Sequence, residues 1–392
     1  MAPSDSLLSG VRERWRMGVE ARALVLLTAT LLAFGLATLY SASAIAAIQS
    51  GLPSMHYMLR QAAGLAAGAI GFAIVARIDA ERWRGWAWPL MGMTIVLMFL
   101  VLTLPESIAP RVNGSRRFLI GSALQPSELG KLAVIVWTAM LVVKKGDNLR
   151  RLTKGLLPFL VVIGLLDVLA LLEPDLSVAM LYTVVMAIVL FAGGVRIGHF
   201  VLLGVLAIPV LWHQIERLQY ALLRMSSFLD PGSAPEQVSY QLRQSLIAVG
   251  SGGIFGTGFG QGRQQYGFLP LPYNDFIGSN IGEEWGFIGM VMLVAAFAAY
   301  GWLGFRIART ARTPFQQLVA VGLTVTMVIT AYLHIGVVIG LLPTTGLTLP
   351  FISYGRSNLV LSLLMTGILA NIGSVRERLV GEHATDPSAR PL

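Results

Sequence analysis

The sequence predicts an all-α polytopic membrane protein with ten transmembrane helices and a large exterior loop between helices 7 and 8. Three observations predict it. Of 392 residues, 55% are hydrophobic and only 12% charged, against about 25% charged in a soluble domain. The apolar runs are each about 20 residues long, which as helix matches the ~30 Å hydrocarbon core. Basic residues fall in alternate loops, the asymmetry that marks the cytoplasmic side. The lack of cysteine excludes thiol catalysis, disulfides and cysteine metal sites. A net charge of +9 reads as basic residues kept on the cytoplasmic side, so no nucleic-acid partner is expected.

Residues 1–20 form a polar, basic cytoplasmic tail with no convincing cleavage site. The membrane domain covers 21–375, and 376–392 is a second cytoplasmic tail. Spans are predicted at 21–48, 58–78, 85–104, 127–144, 155–172, 175–193, 196–212, 286–306, 315–341 and 357–374. Arg12, Arg14 and Arg16 precede the first span. Arg77, Arg82 and Arg84 lie between spans two and three, and "KKGDNLRRLTK" between four and five. Arg196, then "FRIARTAR", then Arg376 and Arg378 continue the alternation. Both termini are therefore expected in the cytoplasm. The loops 105–126, 213–285 and 342–356 then face the exterior or periplasm. In the large loop, Ile215, Leu218, Leu222, Met225 and Leu229 have the spacing of an interfacial helix. "EQVSYQLRQSLIAVG" predicts a second amphipathic helix.

The polar groups of the exterior loops carry the chemistry. Arg111, Arg116 and Arg117 lie on the side where the charge rule disfavours them. Paired guanidiniums can grip phosphate oxygens; surface cations and contacts to anionic lipid are the plainer readings. Glu128 and Lys131, three apart at the mouth of span four, share a helix face and can pair. Pro126 opens that helix, and Ser127 caps it or stands within it. In "LLEPDLSVAM", Asp175 can cap the next helix or, with Glu173, approach a divalent ion. Asp167 lies deeper, facing the bundle interior. Seven glycines between 250 and 262 lack a following "GK[ST]", which rejects a nucleotide P-loop. They suit close backbone approach, either to substrate or to a re-entrant element. Asp275, in "YNDFIG", is a candidate general base or an ordinary turn acid. Only one of the adjacent Glu283 and Glu284 is expected to face the same cavity. The link "GLLPTTGLTLPFISYGRSNL" offers Ser353, Tyr354, Ser357, Asn358 and the cation Arg356 to a sugar, a peptide or a transporter gate.

Several strings, in order, resemble the SEDS family (shape, elongation, division and sporulation) from about residue 20 to 375. They are "YSAS" at 40–43, "NGSRRF" at 113–118, "QPSELGKL" at 125–132 and "EPDLS" at 173–177. "YQLRQSLIAVGSGGIFGTGFGQG" at 240–262, "NDFIGSNIGEEWGFIG" at 274–289 and "GVVIGLLPTTGLTLPFISYG" at 336–355 complete the set. The last string is closer to the division branch than to the elongation branch. The resemblance implies a peptidoglycan glycosyltransferase of the cytoplasmic (inner) membrane, acting on lipid II at the exterior face. It implies that Asp275, at the essential acidic position of the large exterior loop, is the catalytic base. Arg116, Arg117, Glu128, Lys131, Asp175, Gln244, Ser353 and Arg356 are the expected substrate-binding positions. It implies an inverting transfer from an undecaprenyl-pyrophosphate donor. A class B penicillin-binding protein and division-site membrane proteins are the implied partners. It implies no definite cofactor; a magnesium or manganese ion could share the neutralisation of pyrophosphate. The chain departs from the commonest pattern at Tyr273-Asn274, Ser177, Arg356 and Asn358. Competing functions are a lipid II flippase, a nonenzymatic activator of a penicillin-binding protein, and an elongation-type role. No clear inverted repeat favours alternating access.

Overall fold

The computed structural model describes residues 12–111, 115–119, 124–150, 155–201, 228 and 236–379. It is a helical bundle: α1 (Val19–Gln49), α2 (His56–Val75), α3 (Trp83–Thr103), α4 (Pro126–Lys145), α5 (Leu157–Leu172), α6 (Leu176–Ala192), α7 (Glu236–Ser251), α8 (Ile277–Arg309), α9 (Pro314–Val338) and α10 (Arg356–Ile372). Six stretches, α1, α2, Ala80–Thr103, α4, α8 and α9, are long and apolar enough to cross a bilayer. The helices α5, α6 and α10 are shorter and apolar. The expected span at 196–212 is described only to residue 201. The expected interfacial helix around Ile215 to Leu229 lies outside the described residues, apart from residue 228. The second amphipathic helix, expected over 236–250, is α7.

Burial sorts the helices into an inner and an outer set. On α4, every residue from Ala133 to Val142 is buried, as expected of a helix apolar all round. Helices α9 and α10 join it in the interior. Outer helices leave large apolar side chains exposed, among them Ile70, Trp86, Phe99, Val161 and Val168, the pattern of surfaces solvated by lipid. Packing between helices uses small residues. On α2, a Cβ at Gly68 would lie 2.6 Å from the Leu363 side chain and 3.3 Å from the Val360 Cα of α10, so glycine lets the two helices approach closely.

Helix α8 is broken at Gly286, whose φ of 64° and ψ of −159° interrupt the spiral. The predicted span start at 286 is thus the start of the second half, and the loop expected to run to 285 already becomes helix at Ile277. A break frees carbonyls before it and N–H groups after it, which must be paired in a membrane protein. The glycine-rich loop does this. Thr257 N and Gly258 N donate to Glu283 O and Glu284 O at 2.9 and 3.1 Å. Phe287 N and Ile288 N donate to Gly253 O and Ile254 O at 2.9 and 3.2 Å. A Cβ on Gly256 would sit 2.1 Å from Glu284 O. Of the two sequence readings of these glycines, the re-entrant packing element is the one the geometry supports.

The chain ends add what the sequence did not predict. Strands β1 (Arg12–Met17) and β2 (Ser374–Leu379) pair antiparallel, Met17 opposite Ser374 and Arg12 opposite Leu379. This ribbon, which lies within or beside both expected tails, is a small addition to the helical fold that the sequence predicts. Arg306 pairs with Glu20 at 3.2 Å beside it, and Arg312 donates to Ser374 O at 2.7 Å.

Candidate functional site

The site gathers at the N-terminal end of α4. Gln125 is the N-cap and Pro126 the first helical residue, where its missing N–H costs nothing. Ser127 stands within the first turn, where its carbonyl accepts from Tyr182. One turn on, Lys131 Nζ donates to both Glu128 oxygens at 2.8 Å, and both side chains are buried. A buried pair of this kind is costly to split, about 3–5 kcal/mol when one partner is removed. Beside it is a cavity of about 10 Å³ lined by Glu128, Lys131, Thr326, Thr330, Asn358 and Ser362, among others, roughly the room of one water. Thr330 Oγ1 has no partner among the described residues.

The α5–α6 turn supplies two more acids. Asp175 caps α6 by accepting from Val178 N at 3.2 Å, as its position in the sequence suggested. Burial pushes its carboxyl up, with Arg117, Val178 N–H and Lys131 opposing. Glu173 is fully buried, and neither carboxylate oxygen has a hydrogen-bond partner among the described residues. Burial, then the charge of Asp175, push its carboxyl up to about 8, with Arg117 opposing.

The two arginines expected to act as a pair have different partners. Arg116 donates to Glu106 at 2.9 Å on the exposed side, and Arg111 reaches the same carboxylate at 3.0 Å. The Arg116 hydrogen bond, then the charges of Arg111 and Arg116, hold Glu106 below its ordinary range. Arg117 instead approaches Asp175 at 3.5 Å. Neighbours along an extended segment diverge because successive side chains point to opposite faces. Nε of each arginine is unpartnered among the described residues.

Asp275 lies half-buried in the turn before α8. That turn is stitched to the link between α9 and α10. Ser353 Oγ donates to Asn274 O at 2.8 Å and accepts from Leu349 N at 2.8 Å. Tyr354 N donates to Tyr273 O at 2.9 Å. The amide of Gln61 joins both ends of the corner, donating to Ser353 O at 3.0 Å and accepting from Gly355 N at 3.1 Å. Tyr273 stacks on Tyr57 with centroids 4.5 Å apart, and Tyr354 meets both rings edge-on. Burial, then the neighbouring hydroxyl of Tyr57, raise the Tyr273 phenol, which stays a neutral hydroxyl. On α9, His334 Nε2 accepts from Gly278 N at 3.3 Å and Nδ1 lies 3.0 Å from Leu347 O. These partners fix the tautomer with the proton on Nδ1.

The same link carries these contacts to the charged cluster. Ser357 Oγ accepts from Gln125 N at 3.0 Å, and a Cβ on Gly346 would lie 3.9 Å from Arg117 Nη1. One segment is therefore hydrogen-bonded to the Asp275 turn through Ser353 and Tyr354 and to the start of α4, the helix of Glu128 and Lys131, through Ser357, and it passes near Arg117 at Gly346. Arg356, the first residue of α10, is half-buried with its stem against Gly64 of α2 and forms no ion pair among the described residues. Gln244 is half-buried on α7, beside Ser245, which bonds Ser279 and Val338 O. Glu283 and Glu284 both serve the re-entrant element. Glu283 accepts from Arg263 N at 2.7 Å, and Glu284 accepts from Ser41 of α1. Sequence reasoning passed over Tyr57, Gln61, Glu106 and His334; a lone amide or imidazole inside an apolar span was the available signal. Among the described residues no group of three His, Asp or Glu side chains is arranged to hold a metal ion.

A family profile described as cell cycle protein, covering the FtsW, RodA and SpoVE group, matches residues 22–378. A probable peptidoglycan glycosyltransferase FtsW from Trichlorobacter lovleyi is 38% identical over 370 residues, 94% of this chain and 97% of that protein. Stage V sporulation protein E from Bacillus subtilis is 37% identical over 351 residues, 89% of this chain and 95% of that protein. Among solved structures, a chain from work on the coordination of polymerization and crosslinking by a peptidoglycan synthase complex superposes with a TM-score of 0.75. It is 27% identical and covers 90% of this chain and 97% of that one. The rod shape determining protein RodA of Thermus thermophilus superposes with a TM-score of 0.64 at 26% identity, over 90% of this chain and 95% of that one.

Proposed function

This chain belongs to the SEDS family and is most like FtsW within it; from that premise we propose that it polymerises lipid II into β-1,4-linked glycan strands during cell division. The observation that carries the reading is the linkage at one end of the bundle. The turn holding Asp275 is bonded through Ser353 and Tyr354 to the segment that runs on to Ser357, which accepts from Gln125 N at the start of α4, and that passes near Arg117 at Gly346.

The chemistry is an inverting substitution. The 4-hydroxyl oxygen of an acceptor N-acetylglucosamine bonds to the donor's anomeric carbon. The bond from that carbon to the pyrophosphate oxygen breaks with its electron pair, and undecaprenyl pyrophosphate leaves. Asp275 takes the hydroxyl proton, the role of a general base. Arg117 and Arg116 offset charge growing on the leaving group, since fixed cations stabilise developing charge. Glu128 and Lys131 act differently from the sequence expectation of direct binding: sealed against each other, they brace the end of α4 on which Arg117 and Asp175 close. A magnesium or manganese ion, in this reading, is held by the pyrophosphate itself, as magnesium often is by substrate phosphates.

We further propose ten spans, with the site outside and both termini in the cytoplasm. The pairing of β1 with β2 supports an even number of crossings, because it brings both ends to one face. A class B penicillin-binding protein partner and division-site membrane proteins follow from the FtsW likeness. The test uses purified protein in liposomes with lipid II, with and without the partner. Asp275→Asn is expected to lower polymerisation by about 10²–10⁴-fold while its melting temperature stays near that of the wild type. Full activity in a folded Asp275→Asn variant overturns the base assignment; lipid II transfer across the bilayer without polymer favours a flippase.

A further inference from the structure

At the far end of α4 from the site, a cleft of about 900 Å³ opens between the ends of α3, α4 and α5. This is within the ~300–1,000 Å³ range of ligand sites. Its walls are apolar: Trp88 of α3, Trp137 and Leu141 of α4, and Leu157 and Val161 of α5. Its rim is basic, formed by Lys144 and Lys145 in the last turn of α4. Positions 137, 141, 144 and 145 share one face of α4 by helical spacing, so the cations stand directly above the aromatic wall. Lys144 is exposed and forms no ion pair among the described residues.

A second observation comes from Trp137. It is fully buried against Trp88 and Phe159, with ring centroids 5.5 Å away in each case. Its indole N–H has no hydrogen-bond acceptor among the described residues. A buried indole normally finds one. Cations at the water boundary and apolar walls below match two parts of one molecule: a phosphate and its acyl chains.

We infer that this cleft binds an anionic phospholipid of the leaflet opposite the candidate catalytic end. Basic pockets between transmembrane helices recognise anionic headgroups by this combination. The site is separate from the lipid II chemistry proposed above and does not depend on it. The lysines hold the phosphate, and the acyl chains fill the groove between Trp88 and Val161.

Native mass spectrometry of the full-length protein, titrated with phosphatidylglycerol or phosphatidylcholine, tests it. Phosphatidylglycerol is expected to remain bound in preference to phosphatidylcholine. Lys144→Gln/Lys145→Gln is expected to weaken the phosphatidylglycerol adduct by roughly tenfold or more, from the contribution of each basic group near an anionic lipid. Arg309→Gln, a cation on α8 outside the cleft, is expected to leave it unchanged. Equal retention of both lipids, undiminished binding by the double lysine variant, or an equal loss in Arg309→Gln overturns the inference. Each variant's melting temperature is measured alongside, so that binding is compared only between folded proteins.

Discussion

Among the described residues two pairs of near-neighbour carboxylates are buried, Glu283 with Glu284 on α8 and Glu173 with Asp175 at the α5–α6 turn, and they are held differently. Glu283 meets backbone N–H groups of Arg263 and Gln264, and Glu284 meets Ser41. Their partners are parts of the fold, and their surroundings are re-entrant backbone. Glu173 has no hydrogen-bond partner among the described residues, and Asp175 faces a loosely paired guanidinium at 3.5 Å. The first pair completes a structure. In the second, Asp175 caps α6 while Glu173 is buried without a partner near a guanidinium whose Nε is also unpartnered, the signature of a place kept for something else.

The contrast can be broken most severely at the re-entrant element. Gly286→Ala puts a Cβ 2.4 Å from Gly256 N at a φ of 64°. It is expected to abolish the folded, monodisperse protein in detergent, since overlap with backbone cannot relax cheaply. A wild-type elution profile and melting curve would refute the exchange of backbone bonds as the reason for the glycines.

Next in size is the buried ion pair. Lys131→Met is expected to destabilise by about 3–5 kcal/mol by leaving Glu128 charged and unpaired. The double variant Glu128→Gln/Lys131→Met should recover most of that stability. Thermal unfolding followed by tryptophan fluorescence measures both. Failure of the double variant to recover would mean that Lys131 serves Asp175 more than Glu128.

The acid turn offers a smaller and pH-dependent effect. The folded Glu173 carboxyl keeps its proton to about pH 8, against 4.5 for the ordinary group. Its contribution to stability is therefore full below about pH 4.5 and is lost as pH rises through about 8. Between pH 6 and pH 8 the wild type should lose on the order of 2–3 kcal/mol from this group alone. Glu173→Gln should flatten that slope. An identical pH profile for variant and wild type would place Glu173 outside the contrast.

Smallest in stability is Arg116→Gln. Its partner Glu106 is exposed, and such pairs contribute about 0–1 kcal/mol. Undecaprenyl pyrophosphate binding is expected to weaken all the same, with a shallower dependence on salt. Unchanged affinity would leave pyrophosphate recognition to Arg117.

The parts legible in the sequence were those written in hydrophobicity and charge sign. Helix α4 could be placed within one residue at each end because Pro126 opens it, Lys144 and Lys145 close it, and the run between is apolar. Glu128 and Lys131 paired as their spacing required. What stayed hidden was written in backbone geometry or long-range contact. Nothing local tells Arg116 and Arg117 that one turns to Glu106 and the other to Asp175. The glycines at 252–258 announced a close approach, but not that its object was the broken α8. The ribbon of β1 and β2 was masked by charge, since "RERWRM" and "SVRERL" read as tails until they are laid beside each other. The Asp275 turn was noticed as polar, while its anchors Gln61 and His334 come from distant helices.

The ribbon has a consequence for biogenesis. Arg12–Met17 precedes every helix of the bundle in the chain and Ser374–Leu379 follows α10, so the two strands can meet only after every intervening helix has been synthesised. A chain truncated before residue 374 leaves its opening strand without a mate. The clasp can thus close only once α10 has been made.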